Sequence, residues 1–223
     1  LSSDGERLWL SWEELEGESF GLRVRELGSD APSHHVGADL HDHAAAASDG
    51  RLALVAMRRR SRNAPETDGP FEIVGLDVRD GEVGDARTLS EGPRGGWAPD
   101  IAIARDGAVC YAWDAFDGAA FGVQVRWRDP DGRLGPVLSV AASEHFEARP
   151  SLAAAPDGTV WIAWEEGAVG YGARYTGNDR IWRIQAARRL GATPHGRAVG
   201  LFYAVVSTRV RSPCFLGFFF VSS

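Results

Sequence analysis

The chain has 223 residues, 44% of them hydrophobic and 25% charged, which is enough apolar material for a packed core and excludes a disordered composition. A formal net charge of -7 opposes a phosphate backbone, so no nucleic-acid partner is expected. Cys110 and Cys214 show none of the paired spacings of zinc or redox centres, and the most apolar stretch, Leu201 to Val221, is broken by Arg209 and Arg211, so no membrane span is expected.

In chain order, one phrase recurs. SSDGERLWLSW opens the chain, followed by ADLHDHAAAASDGRLALVAM, WAPDIAIARDGAVCYAW and ARPSLAAAPDGTVWIAW. Each carries an Asp-Gly pair, beginning at Asp4, Asp49, Asp106 and Asp157, and then an alternating apolar run ending at Trp12, Met57, Trp113 and Trp164. Asp-Gly between two short apolar runs is a hairpin signal, because glycine readily supplies the positive φ of a tight strand connection. Each phrase is therefore expected to be strand, turn, strand.

A second phrase follows the first three: FGLRVREL from Phe20, FEIVGLDVRDGEVG from Phe71 and FGVQVRWRDPDGRLGPVLSV from Phe121. Asp80-Gly81 and Asp131-Gly132 mark a further turn before a closing strand. Four strands in each ~50 residues is the dimension of a β-propeller blade. The predicted fold is all-β, a β-propeller of about four four-stranded blades near residues 1–37, 38–93, 94–145 and 146–190, and a piece of a larger propeller. Within a blade Val160, Ile162 and Trp164 share one strand face, and Val109, Tyr111 and Trp113 oppose Cys110 and Ala112, so bulky and small faces should interlock between neighbours. Residues 191–223 have no repeat register and no acidic residue, and are expected to be an apolar, non-native or truncated tail.

The phrases P-x-hydrophobic-A-x-x-x-D-G and W-x-A-W resemble the divergent bacterial neuraminidase-type repeat of sialidase-like β-propellers over roughly residues 1 to 190, with PDGTVW at Pro156 to Trp161 nearest the aspartate box. VWIAWEEGAVGYGARYTGN is also similar to the blade end of bacterial propellers that precede a PHP-like, metal-dependent hydrolase domain. These resemblances imply a bacterial repeat protein, periplasmic or secreted, with a glycan or a neighbouring domain of the same protein as partner.

Candidate chemistry collects at the ends of the second strands, where Glu13, Glu14, Arg58, Arg59, Asp114, Glu165 and Glu166 imply a partial ring of charge. Lengthened loops from Arg58 to Gly69 and from Glu165 to Asp179 should emerge on the same face. Arg58, Arg60, Asp114 and Arg174 are the candidate ligand-binding residues. Glu165 or Glu166 could serve as acid or base, and a sialidase-like site would pair a glutamate with a tyrosine, for which Tyr171 and Tyr175 are available. Solvated loop charges are the competing reading of all these residues.

His34, His35, Asp39, His41, Asp42 and His43 form the densest cluster of metal-ligand types, and His41 and His43 would share one face of a strand. A His-x-His pair without the rest of a ligand set, placed at the entry to a blade, does not make a metal site, so no cofactor is expected. Trp97, Trp161 and Trp182 lie outside the repeated tryptophan position and are free to stack on sugars. The expected function is a ligand-binding or scaffolding propeller without catalysis; the alternatives are a sialidase-like glycoside hydrolase on an anionic glycan and an accessory domain of a metal-dependent hydrolase.

Overall fold

The computed structural model describes residues 1–17, 19–60, 70–92, 95–118 and 120–167, and the backbone of 168–169, 181–187 and 205–208. Over these residues the chain is entirely strand and turn, arranged as four successive antiparallel sheets. The first holds β1 (Ser2–Ser3), β2 (Leu8–Glu16), β3 (Ser19–Leu27) and β4 (His34–Ala38). The second holds β5 (Leu40–Ser48), β6 (Arg51–Arg59), β7 (Phe71–Arg79) and the short β8 (Glu82–Val83) and β9 (Arg87–Thr88). The third holds β10 (Gly96–Ile103), β11 (Val109–Phe116), β12 (Phe121–Arg128) and β13 (Leu134–Ala141). The fourth holds β14 (His145–Ala154), β15 (Val160–Val169), β16 (Ile181–Ala187) and β17 (Val205–Thr208).

Sequential pairing with no crossover makes each sheet an up-and-down blade, and the first strands β1, β5, β10 and β14 line a common axis. An open cleft of about 300 Å³ lies between them, lined by Ala45 to Ala47, Ile101 to Ile103, Leu152, Ala154 and Leu1 to Ser3. The fourth strand of the last blade comes from residues 205–208, inside the segment that the sequence pattern leaves without repeat register.

The Asp-Gly turns are of two kinds. Asp49 and Gly50 both have positive φ, 50° and 70°, and Ser48 pairs directly with Arg51, giving a two-residue hairpin loop. In the third and fourth blades the glycine alone takes positive φ, Gly107 at 82° and Gly158 at 85°, and the loop is one residue longer, closed by Ala104 N to Ala108 O and Ala155 N to Thr159 O. The extra residue of the longer loop lies before the aspartate, so the second strands keep one count from it in these three blades. Leu40 and His41 pair with Arg58 and Met57, Trp97 pairs with Asp114, and Ala148 pairs with Glu165. Met57 is thus equivalent to Asp114 and Glu165, and Ala56 takes the place of Trp113 and Trp164; aligning Met57 with the tryptophans is corrected by the register.

The core lies in the seams. Small Cys110 and Ala112, with Val123, Val125 and Trp127, pack against bulky Val160, Ile162 and Trp164 of the next blade. Ala53, Val55 and Met57 receive Val109, Tyr111 and Trp113 in the same way, and Trp9, Leu22 and Val24 receive Leu52, Leu54 and Ala56. Polar latches close each seam. Asp4 Oδ2 accepts from Gly50 N at 2.9 Å, Arg51 Nη2 donates to Gly107 O at 3.2 Å, and Asp100 Oδ2 accepts from Leu152 N at 2.6 Å. Arg128 forks onto both carboxylate oxygens of Asp77 across the second seam, Nη2 to Oδ1 at 2.8 Å, with its guanidinium 5.8 Å from the Tyr111 ring centre.

Candidate functional site

All inner strands begin, and all second strands end, on one face of the propeller, so their terminal side chains form the mouth of the axis there. Each complete inner strand is interrupted near its start by a bulge, between His41 and Ala44, Trp97 and Asp100, and Ala148 and Ser151. The bulge residues Asp42, Ala98 and Arg149 have φ of 47°, 44° and 54°, a left-handed conformation that is unfavourable for residues with a Cβ and needs support from the surrounding fold. Bulges re-aim side chains beside sites. Here they turn the mouth residues of three blades out of the regular pleat.

At the seam of the third and fourth blades the bulge brings Arg149 over the end of β11. Asp114 lies beneath it, only 5% exposed, and its Oδ1 has no hydrogen-bond partner among the described residues. Burial pushes the Asp114 carboxyl up from its usual 3.8 to about 7, and the negative charge of Asp42 adds to the rise. Hydrogen bonding from the Asp114 and Arg149 backbone and the positive charge of Arg149 pull in the other direction without cancelling it. Near neutral pH this carboxyl is therefore a mixture of acid and anion, able to donate as well as accept. The Arg149 side chain is well exposed and its guanidinium stands 3.8 Å from Glu165 Oε1, while Asp114 feels the same positive charge without pairing with it.

Rings line the same seam. Trp97 is the direct cross-strand partner of Asp114, and Phe116 pairs with Phe121 two places further on. The Phe121 ring centre lies 5.4 Å from that of Trp97, 5.1 Å from Phe116 and 5.6 Å from Phe146 of the next blade. Trp97, Phe116 and Phe121 keep part of their surface in contact with solvent.

Of the ring of charge expected at the second-strand ends, Glu13, Asp114 and Glu165 occupy equivalent places, with Met57 in the fourth. Glu166 is the next residue along β15, on the opposite face from Glu165. Arg58 is not free for a ligand: its Nε and Nη2 bind Glu72 Oε1 at 2.8 and 2.5 Å, and Nη2 reaches Thr88. Arg60 donates to Gly92 O at 3.0 Å. Both are drawn outward along their own blade, because β7 and the following turn present acceptors there. Tyr171, Arg174 and Tyr175 lie outside the described residues, as does most of each lengthened loop.

The histidines do not form a metal pair. The bulge at Asp42 breaks the alternation that would have put His41 and His43 on one face. His41 lies edge-on between Phe20 and Phe71, at 5.5 and 5.7 Å. His43 binds Glu13 Oε1 at 3.2 Å and Ser11 Oγ at 3.0 Å in the first blade. No group of three or more metal-ligating side chains occurs among the described residues.

Asp42 was legible only as one of a cluster of metal-ligand types, and Arg149 not at all. The one sequence signal for the bulge at Arg149 is the proline that follows it, Pro150, matched by Pro99 after Ala98, which regular central strands avoid and bulges tolerate.

The architecture recurs in solved structures. The xylan β-1,4-xylosidase of Bacillus halodurans C-125 superposes with a TM-score of 0.52 at 14% identity, over 88% of this chain and 41% of that one. The Penicillium chrysogenum α-L-arabinanase gives 0.51 at 12% identity over 92% and 66%, and the GH93 α-L-arabinofuranosidase of Fusarium graminearum 0.52 at 13% over 93% and 64%. This chain spans 41% to 66% of the length of these proteins. At such identities the likeness is one of fold: the chain is a partial β-propeller of the type found in glycosidases. No family model matches the sequence, and no curated protein matches it.

Proposed function

We propose that this chain is part of a glycan-directed β-propeller that holds its ligand at the axial mouth, in the seam between the third and fourth blades. The observation that carries the reading is Asp114, a carboxyl with 5% exposure and an oxygen lacking a partner among the described residues, set beside the exposed Arg149. A buried polar atom without a partner costs ~1–3 kcal/mol, and a fold retains such an atom where a ligand satisfies it. The propeller type and the enzymes that share it, which act on xylan or arabinan by their names, support a sugar as that ligand. Polymeric glycans are met outside the cytoplasm, so an exported protein is the compartment this reading implies. The test is titration of arabino- and xylo-oligosaccharides into the protein and into Asp114→Ala. Saturable binding that falls at least tenfold in the variant supports the reading, and no binding by the parent refutes it.

One observation favours hydrolysis as a second reading. Burial raises the Asp114 pKa to about 7, and the charge of Asp42, which stands at the bulge of another blade, adds to the rise. Glycoside hydrolysis commonly uses one carboxyl as proton donor and a second as carboxylate. In this reading Asp114 is the acid and Asp42 the carboxylate, in place of Glu165 or Glu166. A sialidase-type specificity would need several arginines open to a carboxylate; Arg58 and Arg60 bind groups of their own blade, which leaves Arg149 alone beside Asp114 among the described residues. Release of nitrophenol from neutral nitrophenyl glycosides, lost in both Asp114→Asn and Asp42→Asn, supports this reading; binding without turnover refutes it.

A further inference from the structure

We infer that the ligand of this mouth is an uncharged sugar unit, seated with its C–H face against the Trp97 ring, which Phe121 meets at 66° and walls on one side, and its hydroxyl edge toward Asp114. The inference rests on the glycan reading above and deepens it. Two features of the seam lead to it.

The first is the disposition of the rings. Trp97 and Asp114 are direct cross-strand partners and so project on the same side of the blade. Phe121, 5.4 Å from Trp97, extends the apolar surface along that side, and Phe116 and Phe146 back it. Trp97 itself is held against the loop that leads into its strand. A Cβ built on Gly95 would lie 2.3 Å from the indole Cη2, so only glycine lets the ring take this position. An apolar platform bordered by one polar anchor is the pattern of a small-ligand site. A sugar ring, with a C–H face and a hydroxyl rim, matches both parts.

The second is charge. Three carboxyls gather at this end of the seam: Asp42 raises the pKa of Asp114 by its charge, and Glu165 stands 3.8 Å from Arg149, the one guanidinium that the described residues place beside them. Carboxyls outnumber the one guanidinium here, so a uronic or sialic acid would bring a further negative charge to a site that is already acidic. A carboxyl suits a neutral hydroxyl in either form, since it donates when protonated and accepts when ionised.

The experiment compares arabinobiose with digalacturonic acid by isothermal titration at pH 7, on the parent and on Trp97→Ala, Phe121→Leu and Gly95→Ala, with circular dichroism to verify the fold. Gly95→Ala keeps the indole but displaces it, so it reports on the platform even if Trp97→Ala fails to fold. The expected result is binding of arabinobiose alone, weakened about tenfold or more in each variant. Unchanged binding of arabinobiose in Gly95→Ala and Phe121→Leu overturns the platform while leaving the glycan reading standing. Tighter binding of digalacturonic acid overturns the neutral class. Failure of the parent to bind either sugar overturns the glycan reading and this inference with it.

Discussion

Replacing Asp114 by Asn should stabilise the protein, by an amount that depends on pH in a defined way. Asn keeps the shape and the carbonyl oxygen of the carboxyl but cannot ionise. In the folded chain burial raises the Asp114 pKa from 3.8 to about 7. A group whose folded pKa lies above its unfolded one binds more protons when folded, so it costs nothing below pH ~3.8, costs progressively more as pH rises, and reaches its full penalty above pH ~7. At ~1.4 kcal/mol per pH unit, the full penalty is ~4 kcal/mol. Asp114→Asn removes it. Urea denaturation of parent and variant at half-unit steps from pH 3.5 to 8.5 reads the effect directly. The difference in unfolding free energy should climb by several kcal/mol between pH 4 and 7 and then level off. Taking the difference removes the contribution of other carboxylates, which titrate alike in both proteins. A difference that stays flat with pH would refute the claim that Asp114 is held dry.

Two further predictions concern the seams. Arg128→Ala should destabilise the fold by ~2 kcal/mol, between the limits for exposed and fully buried ion pairs, because the Arg128 side chain is 6% exposed and its partner Asp77 28%. Arg58→Ala, whose pair with Glu72 lies within one blade and is open to solvent, should cost under ~1 kcal/mol in the same urea titration. Cys110 is buried in the seam of the third and fourth blades, and burial pushes its thiol well above the ordinary range. In a Cys214→Ser background it should react with a disulfide reagent only at the rate of unfolding; rapid labelling of the native protein would show that the seam opens.

The repeat is written locally. An Asp-Gly turn, an alternating strand and a tryptophan at its end are short-range patterns, so four blades and their interlocking faces, such as Cys110 and Ala112 against Val160, Ile162 and Trp164, follow from period and residue size alone. Asp114 was legible as a site candidate by its place at a strand end, but nothing in its neighbours along the chain marks it as buried or half protonated. That state depends on Trp97, one strand away, on Arg149, 35 residues later, and on Asp42, in another blade. Register settled the rest. Cross-strand pairing puts Met57 in the place of Asp114 rather than of Trp113, and a bulge at Asp42 turned His41 and His43 to different partners. Strand faces alternate with every residue, so a shift of one place exchanges inside for outside. The amino-acid sequence by itself determined the blades and their packing. The tertiary structure alone decided which polar side chains meet at the mouth, because charge and desolvation act across space, between strands that the chain order keeps apart.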